Sequence, residues 1–352
     1  MMGVKDSLIL PAVPNSGHRF GCMYYSCQLL FEYLGAPIPV HRFIPLTAAP
    51  FGFLYHNDGK FVMAMPYGCP CQEGMKFIST HLGYQPLVLD QAEWETAWNR
   101  ARETLASGVP LVAGPFPMRL FNFNPRVEGE PLWDHFCLVT GYQDNHVVMN
   151  EMFGFSGIPI PLEEFKKTWV ARGVLCPRDI LPNTPFFFGV QPGKKDTGLT
   201  EKEMLPHVFR RGMSLLEGKQ FSSNTCSGIQ AQERLIIDLR RGFGFNSVRK
   251  LVAILRQLSL VTFTIGHQAK YDLAVLLKSF DPGDIPVWQQ LVDIYMQESR
   301  LYFEAINICM RAIDEANSGG KVNNYLDTIA LQLEQILELE KNAHGCLALL
   351  VS

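Results

Sequence analysis

Between Tyr84 and Pro192 the chain runs in short apolar stretches separated by turn residues. "YQPLVLD" (Tyr84–Asp90), "VPLVAGPF" (Val109–Phe116), "HFCLVTGYQ" (His135–Gln143), "HVVMNEM" (His146–Met152) and "PFFFGVQP" (Pro185–Pro192) are rich in Val, Leu and Phe. Gly, Pro, Asn or Asp bound them, a pattern that predicts strands. "GYQDNHVV" predicts a tight turn joining two of these strands, because Asp144 and Asn145 tolerate turn geometry. Helices fit "YYSCQLLFEYLG", "QEGMKFISTHLG" and "DQAEWETAWNRARETLASG", which close on Gly35, Gly83 and Gly108.

From about Thr200 the grammar changes to long helical stretches with almost no β-like runs. "TEKEMLPHVFRRGMSLLEG" opens with Thr200 and Glu203 at capping-box spacing. "VWQQLVDIYMQESRLYFEAINICMRAIDEANSGG" and "YLDTIALQLEQILELEKNAHGCLALL" carry apolar residues three and four apart. In the second of these, Leu326, Ile329, Leu333, Ile336 and Leu337 form a stripe suited to packing on another helix. The polar, glycine-bearing "QPGKKDTG" (Gln191–Gly198) reads as a linker. The expected organisation is α+β: a catalytic domain over residues 1–192, with a sheet of antiparallel strands, a linker over 193–198, and an all-α domain over 199–352.

The length of 352 residues agrees with two domains, and the 47% hydrophobic and 18% charged composition is that of an ordinary globular protein. A net charge of −3 gives no electrostatic reason to expect a nucleic acid or an anionic membrane as partner. The start, "MMGVKDSLILPAVPNSG", lacks the basic start and the long apolar core of a signal peptide, its short run Leu8–Val13 being interrupted by Pro11, and no run approaches a membrane span. Nine cysteines, an odd number, then read as mostly thiols, and a cytoplasmic protein is expected.

Two of those cysteines lie in "FGCMYYSCQLLFEYLG" (Phe20–Gly35). A cysteine attacks as thiolate, and the free N–H groups of a helix N-terminus favour that charge. Cys22 follows Gly21 and falls near the first turn, whereas Cys27 lies more than a turn inside. Cys27, Leu30, Phe31 and Leu34 recur at i, i+3, i+4 and i+7, one buried face, and five residues turn a side chain through about 500°, away from Cys22. Cys22 is therefore the candidate nucleophile and Cys27 the alternative, its plainer reading a core residue.

A nucleophilic thiol needs a base and a group to orient that base. "WDHFCLVTGYQDNHVVMNEMFG" (Trp133–Gly154) supplies both, with His135 at the start of one strand and Asn150 near the end of the next. Asn150 is the expected orienting partner, holding the imidazole tautomer so that the other nitrogen meets the thiol. Asp134 and Glu151 are its rivals, and Asp134 ranks lower because strand alternation turns it to the other face.

These segments resemble the papain-like fold of the double-glycine peptidases that trim bacteriocin leaders. In that family the catalytic Cys opens a helix that closes on a Gly, as Cys22 and Gly35 would here, and "HFCLVTGY…VVMNEM" is similar to its His strand and the strand after it. Within the superfamily the chain is closer to the butirosin biosynthesis protein H family, through "APFGFLYHNDGKF" (Ala49–Phe61) and the helical second half. The resemblance implies a papain-like N-terminal domain and acyl transfer. The acyl group would leave the phosphopantetheine thioester of an acyl or peptidyl carrier protein and end as an amide on a small amine, in specialised-metabolite biosynthesis. Carried across, Cys22 is nucleophile, His135 general base and Asn150 its partner. The peptidases place an oxyanion-binding Gln about six residues before the Cys, where this chain has Ser16; Asn15, Gly21 or backbone N–H groups near Cys22 would then serve.

Other motifs carry less. His18 could line the site. Cys69 and Cys71 form a C-x-C pair without the further ligands that zinc requires, so no metal or bound cofactor is expected. "GFGFN" (Gly242–Asn246) lacks the strand–loop–helix setting of a phosphate loop. "FRRG" and "DLRRG" bring arginine pairs to expected helix ends, where they could meet a phosphopantetheine arm. A cysteine peptidase or amide or thioester hydrolase of the same fold, or a binding protein that retains it, are the competing functions, and a homodimer is compatible with all of them.

Overall fold

The computed structural model describes residues 7–11, 21–59, 62–67, 71–89, 93–117, 134–151, 155–170, 186–192, 198–244, 247–280, 282–283 and 285–352. In chain order the first elements are β1 (Leu8–Ile9), α1 (Cys22–Tyr33), α2 (Val40–Leu46), β2 (Leu54–Asn57), β3 (Val62–Met65), α3 (Cys71–His81), β4 (Tyr84–Leu89) and α4 (Trp94–Ala106). There follow β5 (Leu111–Pro117), β6 (Asp134–Gln143), β7 (His146–Asn150), β8 (Ile158–Pro161), α5 (Leu162–Val170) and β9 (Phe186–Pro192). The remainder is α6 (Glu201–Glu217), β10 (Gln220–Ser222), β11 (Thr225–Ser227), α7 (Ile229–Arg240), α8 (Val248–Gln257), α9 (Thr264–Ser279), α10 (Pro286–Asn317) and α11 (Asn323–Val351). The fold is α+β with antiparallel sheets and a helical C-terminal region. Among the described residues no helix is long and apolar enough to cross a membrane.

The chain divides into two units, one of residues 1–43 and 75–199, the other of 44–74 and 200–352. The first holds a seven-stranded sheet in the order β4-β9-β5-β6-β7-β8, with β1 paired to β6. All five expected strands and all three expected helices of this region form. Its core gathers on one sheet face, where Ala113, Cys137, Val139, Met149 and Phe187 meet Trp94 and Trp98 of α4 and Phe165 of α5. The two tryptophans stack with ring centroids 5.5 Å apart. Asp144 and Asn145 both take positive φ, 45° and 65°, the turn that matches the twist of a two-residue hairpin.

The second unit corrects the contiguous domains 1–192 and 199–352. Residues 44–74 belong with the C-terminal helices, and the unit is not all-α: it contains a four-stranded sheet in the order β10-β11-β2-β3. The hairpin β2–β3 leaves one edge unpaired, and β11 fills it through Thr225↔His56, Cys226↔Tyr55 and Ser227↔Leu54. Phe53, Tyr55, Val62 and Ala64 are buried in a core shared with Leu235, Phe263 and Tyr302. "APFGFLYHNDGKF" therefore stands in the second unit rather than the first. Residues 193–197 of the expected linker lie outside the described residues.

The long helices match expectation. Thr200 and Glu203 close a capping box at the start of α6. Leu326, Ile329, Leu333, Ile336 and Leu337 are all buried along α11. The arginines of "FRRG" stand in the interior of α6 rather than at its end. Those of "DLRRG" do end α7, where Arg240 pairs with Glu334 at 2.7 Å.

Candidate active site

Gly21 sits before α1 with φ 76°, a left-handed conformation that costs glycine little, and Cys22 is the first helical residue. The first N–H groups of a helix have no intrahelical partner, so the Cys22 sulfur stands where negative charge is favoured. Cys22 is partly exposed, whereas Cys27 is completely buried. Burial pushes the Cys27 thiol well above its ordinary value. The helix is enclosed on more than one face, with every residue from Met23 to Phe31 buried, as befits a helix packed into a core. It lies on β6, where the Ser26 hydroxyl donates to the Phe136 carbonyl at 3.4 Å.

His135 enters from the start of β6 and is 3% exposed. Its Nε2 lies 2.5 Å from Oε1 of Glu151, itself 1% exposed. The ring also shares a hydrogen bond with Cys22. With Nε2 committed to the carboxylate, Nδ1 is the nitrogen left for sulfur. Burial alone would lower the imidazole, but hydrogen bonds to Cys22 and Glu151 and their charges outweigh it and push His135 up to about 9. At neutral pH the ring is thus an imidazolium held between two groups that favour its charge.

Asn150 does not orient His135, which corrects the expected Cys–His–Asn arrangement. Beyond the turn, Gln143 pairs with His146, Tyr142 with Val147 and Gly141 with Val148, but Val139 then pairs with Met149 and Leu138 with Asn150. Thr140 is an extra residue bulging from β6, and such a bulge exchanges the faces of everything beyond it. Glu151 therefore shares the face of Val139 and, by alternation, of His135, while Asn150 faces with Leu138. The Asn150 Oδ1 accepts from the Gly157 N–H at 3.0 Å, and its Nδ2 is buried without a partner among the described residues.

A second bulge, in β5, lies beside the histidine. Ala113 pairs with Cys137, but Phe116 pairs with His135, so two residues of β5 intervene where β6 has one. Gly114 occupies that bulge with φ 153°, and a Cβ there would come within 2.5 Å of the Phe136 ring and 2.7 Å of the His135 carbonyl oxygen. Cys137, two residues beyond His135, is fully buried, and its thiol is pushed well up by burial and then by the Glu151 and Cys22 charges. It is no competitor to Cys22.

Asn15, Ser16 and His18 lie outside the described residues, as do Cys69 and residues 118–133 of the aromatic segment before His135. Among the described residues no group of three or more His, Cys, Asp or Glu could hold a metal ion. What the site unites is a partly exposed thiol at a helix start, a buried imidazole in contact with it and a buried carboxylate behind the imidazole. That set can form a thiolate–imidazolium pair and carry an acyl group on sulfur. No protein-family model matches the chain, and no curated protein matches it either.

Proposed function

We propose that this chain is a cysteine-dependent acyltransferase of papain-like fold, which takes an acyl group from a carrier-protein thioester onto Cys22 and passes it to an amine. The observation that carries the reading is the contact of Cys22, first residue of α1, with a buried His135 whose Nε2 is held by Glu151. The Cys22 thiolate attacks the thioester carbonyl, and the carbon–sulfur bond to the donor breaks. The departing thiolate takes the proton of the His135 imidazolium and leaves as a thiol. The neutral imidazole then receives a proton from the attacking amine as the amide forms, and Cys22 is released as thiolate beside a restored imidazolium. The carboxylate of Glu151 holds the ring in place through both halves and favours its charged form.

The papain-like assignment rests on the order of parts: a cysteine opening a helix that lies on an antiparallel sheet, and a histidine at the start of one of that sheet's strands. The carrier protein and the amine rest on the resemblance to the butirosin biosynthesis protein H family. The test is intact-protein mass after mixing with a panel of acyl thioesters. An acyl adduct on wild type and Cys27→Ala but not on Cys22→Ala is expected, and its transfer to added amines with amide release would establish the second half. An adduct that vanishes only in Cys27→Ala would refute the choice of nucleophile. Release of free acid at a rate that no amine changes would make the protein a hydrolase.

A further inference from the structure

We infer that Asn150 is a positioning residue: by tying down the turn that follows β7 it sets where the Glu151 carboxylate stands behind His135. The inference rests on the reading of Cys22, His135 and Glu151 given above. Strands β7 and β8 pair up to Met149↔Ile158, and the connection from Asn150 to Gly157 is closed at two points inside that pair. The Asn150 Oδ1 accepts from Gly157 N–H at 3.0 Å, and Glu151 N–H donates to the Phe155 carbonyl at 2.8 Å. Gly157 itself takes φ 67°, a conformation that glycine adopts readily. Glu151 is thus the first residue of a connection whose far end is anchored by its neighbour's side chain.

The chemistry of Asn150 argues that this acceptor is what the fold uses. The residue is 2% exposed, yet its Nδ2 has no partner among the described residues. Leaving a buried donor unsatisfied is costly, and an aliphatic side chain of the same size would avoid that cost. What an aliphatic residue could not supply is the Oδ1 that holds Gly157 N–H. The hydrogen bond from His135 to Glu151 is short and buried, so a small displacement of the turn changes it.

The test is the pH profile of Cys22 alkylation by iodoacetamide, followed by intact mass, with thermal unfolding recorded for every variant. Glu151→Gln is the reference, since it weakens the imidazolium directly, and should move the step near pH 9 down by about one unit or more. Asn150→Leu keeps the volume, removes the orphaned donor and removes the acceptor. It is expected to move the same step down by at least half as much, with a melting temperature near that of wild type. Asn150→Asp, which retains an acceptor for Gly157 N–H, is expected to restore the wild-type step. An Asn150→Leu profile that overlays wild type while Glu151→Gln shifts would overturn the inference and leave the underlying site intact. A Glu151→Gln profile that overlays wild type would instead remove the site reading itself. Loss of cooperative unfolding in both Asn150 variants would also overturn the inference, because Asn150 would then be holding the fold rather than the carboxylate.

Discussion

Removing the Lys270 ammonium should destabilise the second unit more than almost any other single replacement there. Lys270 of α9 is 2% exposed and meets Glu298 of α10 at 3.0 Å and Glu340 of α11, which are 0% and 2% exposed. The ammonium also lies 5.0 Å from the centre of the Tyr295 ring. Burial would lower Lys270, but the two carboxylates outweigh it and raise it. Burial, and then the charge of Glu340, drives Glu298 well above the usual carboxyl range. Burial raises Glu340 as well, and the Lys270 ammonium opposes the rise on both carboxyls. Lys270→Met leaves Glu340 buried without a cation, and breaking such a pair costs about 3–5 kcal/mol. For a unit of this size that is a fall in melting temperature of roughly 6–20 °C. Glu298→Gln should cost less than Lys270→Met, about 1 kcal/mol, because burial and the Glu340 charge already disfavour the ionised form that it removes. Replacing all three by Met and Leu should be neutral or stabilising by about 1–4 kcal/mol. The sign with pH follows: a carboxyl raised in the folded state binds a proton on folding, so its contribution is full below the unfolded value and fades as pH rises. Glu298→Gln should flatten that decline. Chemical denaturation across pH measures all of these. A Lys270→Met cost below about 1 kcal/mol, or a Glu298→Gln cost as large as that of Lys270→Met, would refute this reading of the cluster.

Three further outcomes follow from the first unit. Gly114→Ala should cost about 1–3 kcal/mol, because its Cβ meets the Phe136 ring and the His135 carbonyl, and it should slow Cys22 alkylation; a melting curve and a labelling time course check it. His135, raised from 6.5 to about 9, contributes stability that is full below pH 6.5 and lost as pH rises towards 9; wild type should lose more stability than His135→Ala between those values. Brief alkylation of native protein should modify Cys22 and spare the fully buried Cys27 and Cys137, with modification of Cys27 appearing only under denaturant; peptide mapping reads this out.

Much of the first unit is legible in the sequence because local pattern and final environment agree there. Leu87 and Leu89 on β4 and Ala113 on β5 sit at alternate positions that meet one core, and Gly35, Gly83 and Gly108 end helices in left-handed conformations with φ near 80°. The second sheet is illegible for the opposite reason. β10 and β11 are three residues each, "QFS" and "TCS", too short and too polar to show alternation, and their stability comes from pairing with a hairpin about 170 residues away. No window of sequence holds both partners.

The orienting residue of the site fails to show itself for a subtler reason, a single bulge. A hairpin closed by Asp144–Asn145 and paired without interruption would bring Val139 opposite Asn150, and alternation would then place Asn150 on the face of His135. That is the register the sequence predicts, and the observed pairs obey it from Gln143 as far as Gly141. Thr140 then steps out of the ladder, Met149 takes the place opposite Val139, and every later residue of β7 changes face. The amide that the pattern aims at the imidazole is turned to the other side, and the carboxylate one residue on replaces it. A bulge at threonine carries no compositional mark, unlike one that requires glycine at positive φ. The distinction between Asn150 and Glu151 is chemical as well as geometric, because an amide can fix an imidazole's orientation but only a carboxylate also favours its charge. The bulge at Thr140 therefore decides which side chain stands behind His135, and so whether a carboxylate adds to the raising effect that contact with Cys22 already has on the imidazole.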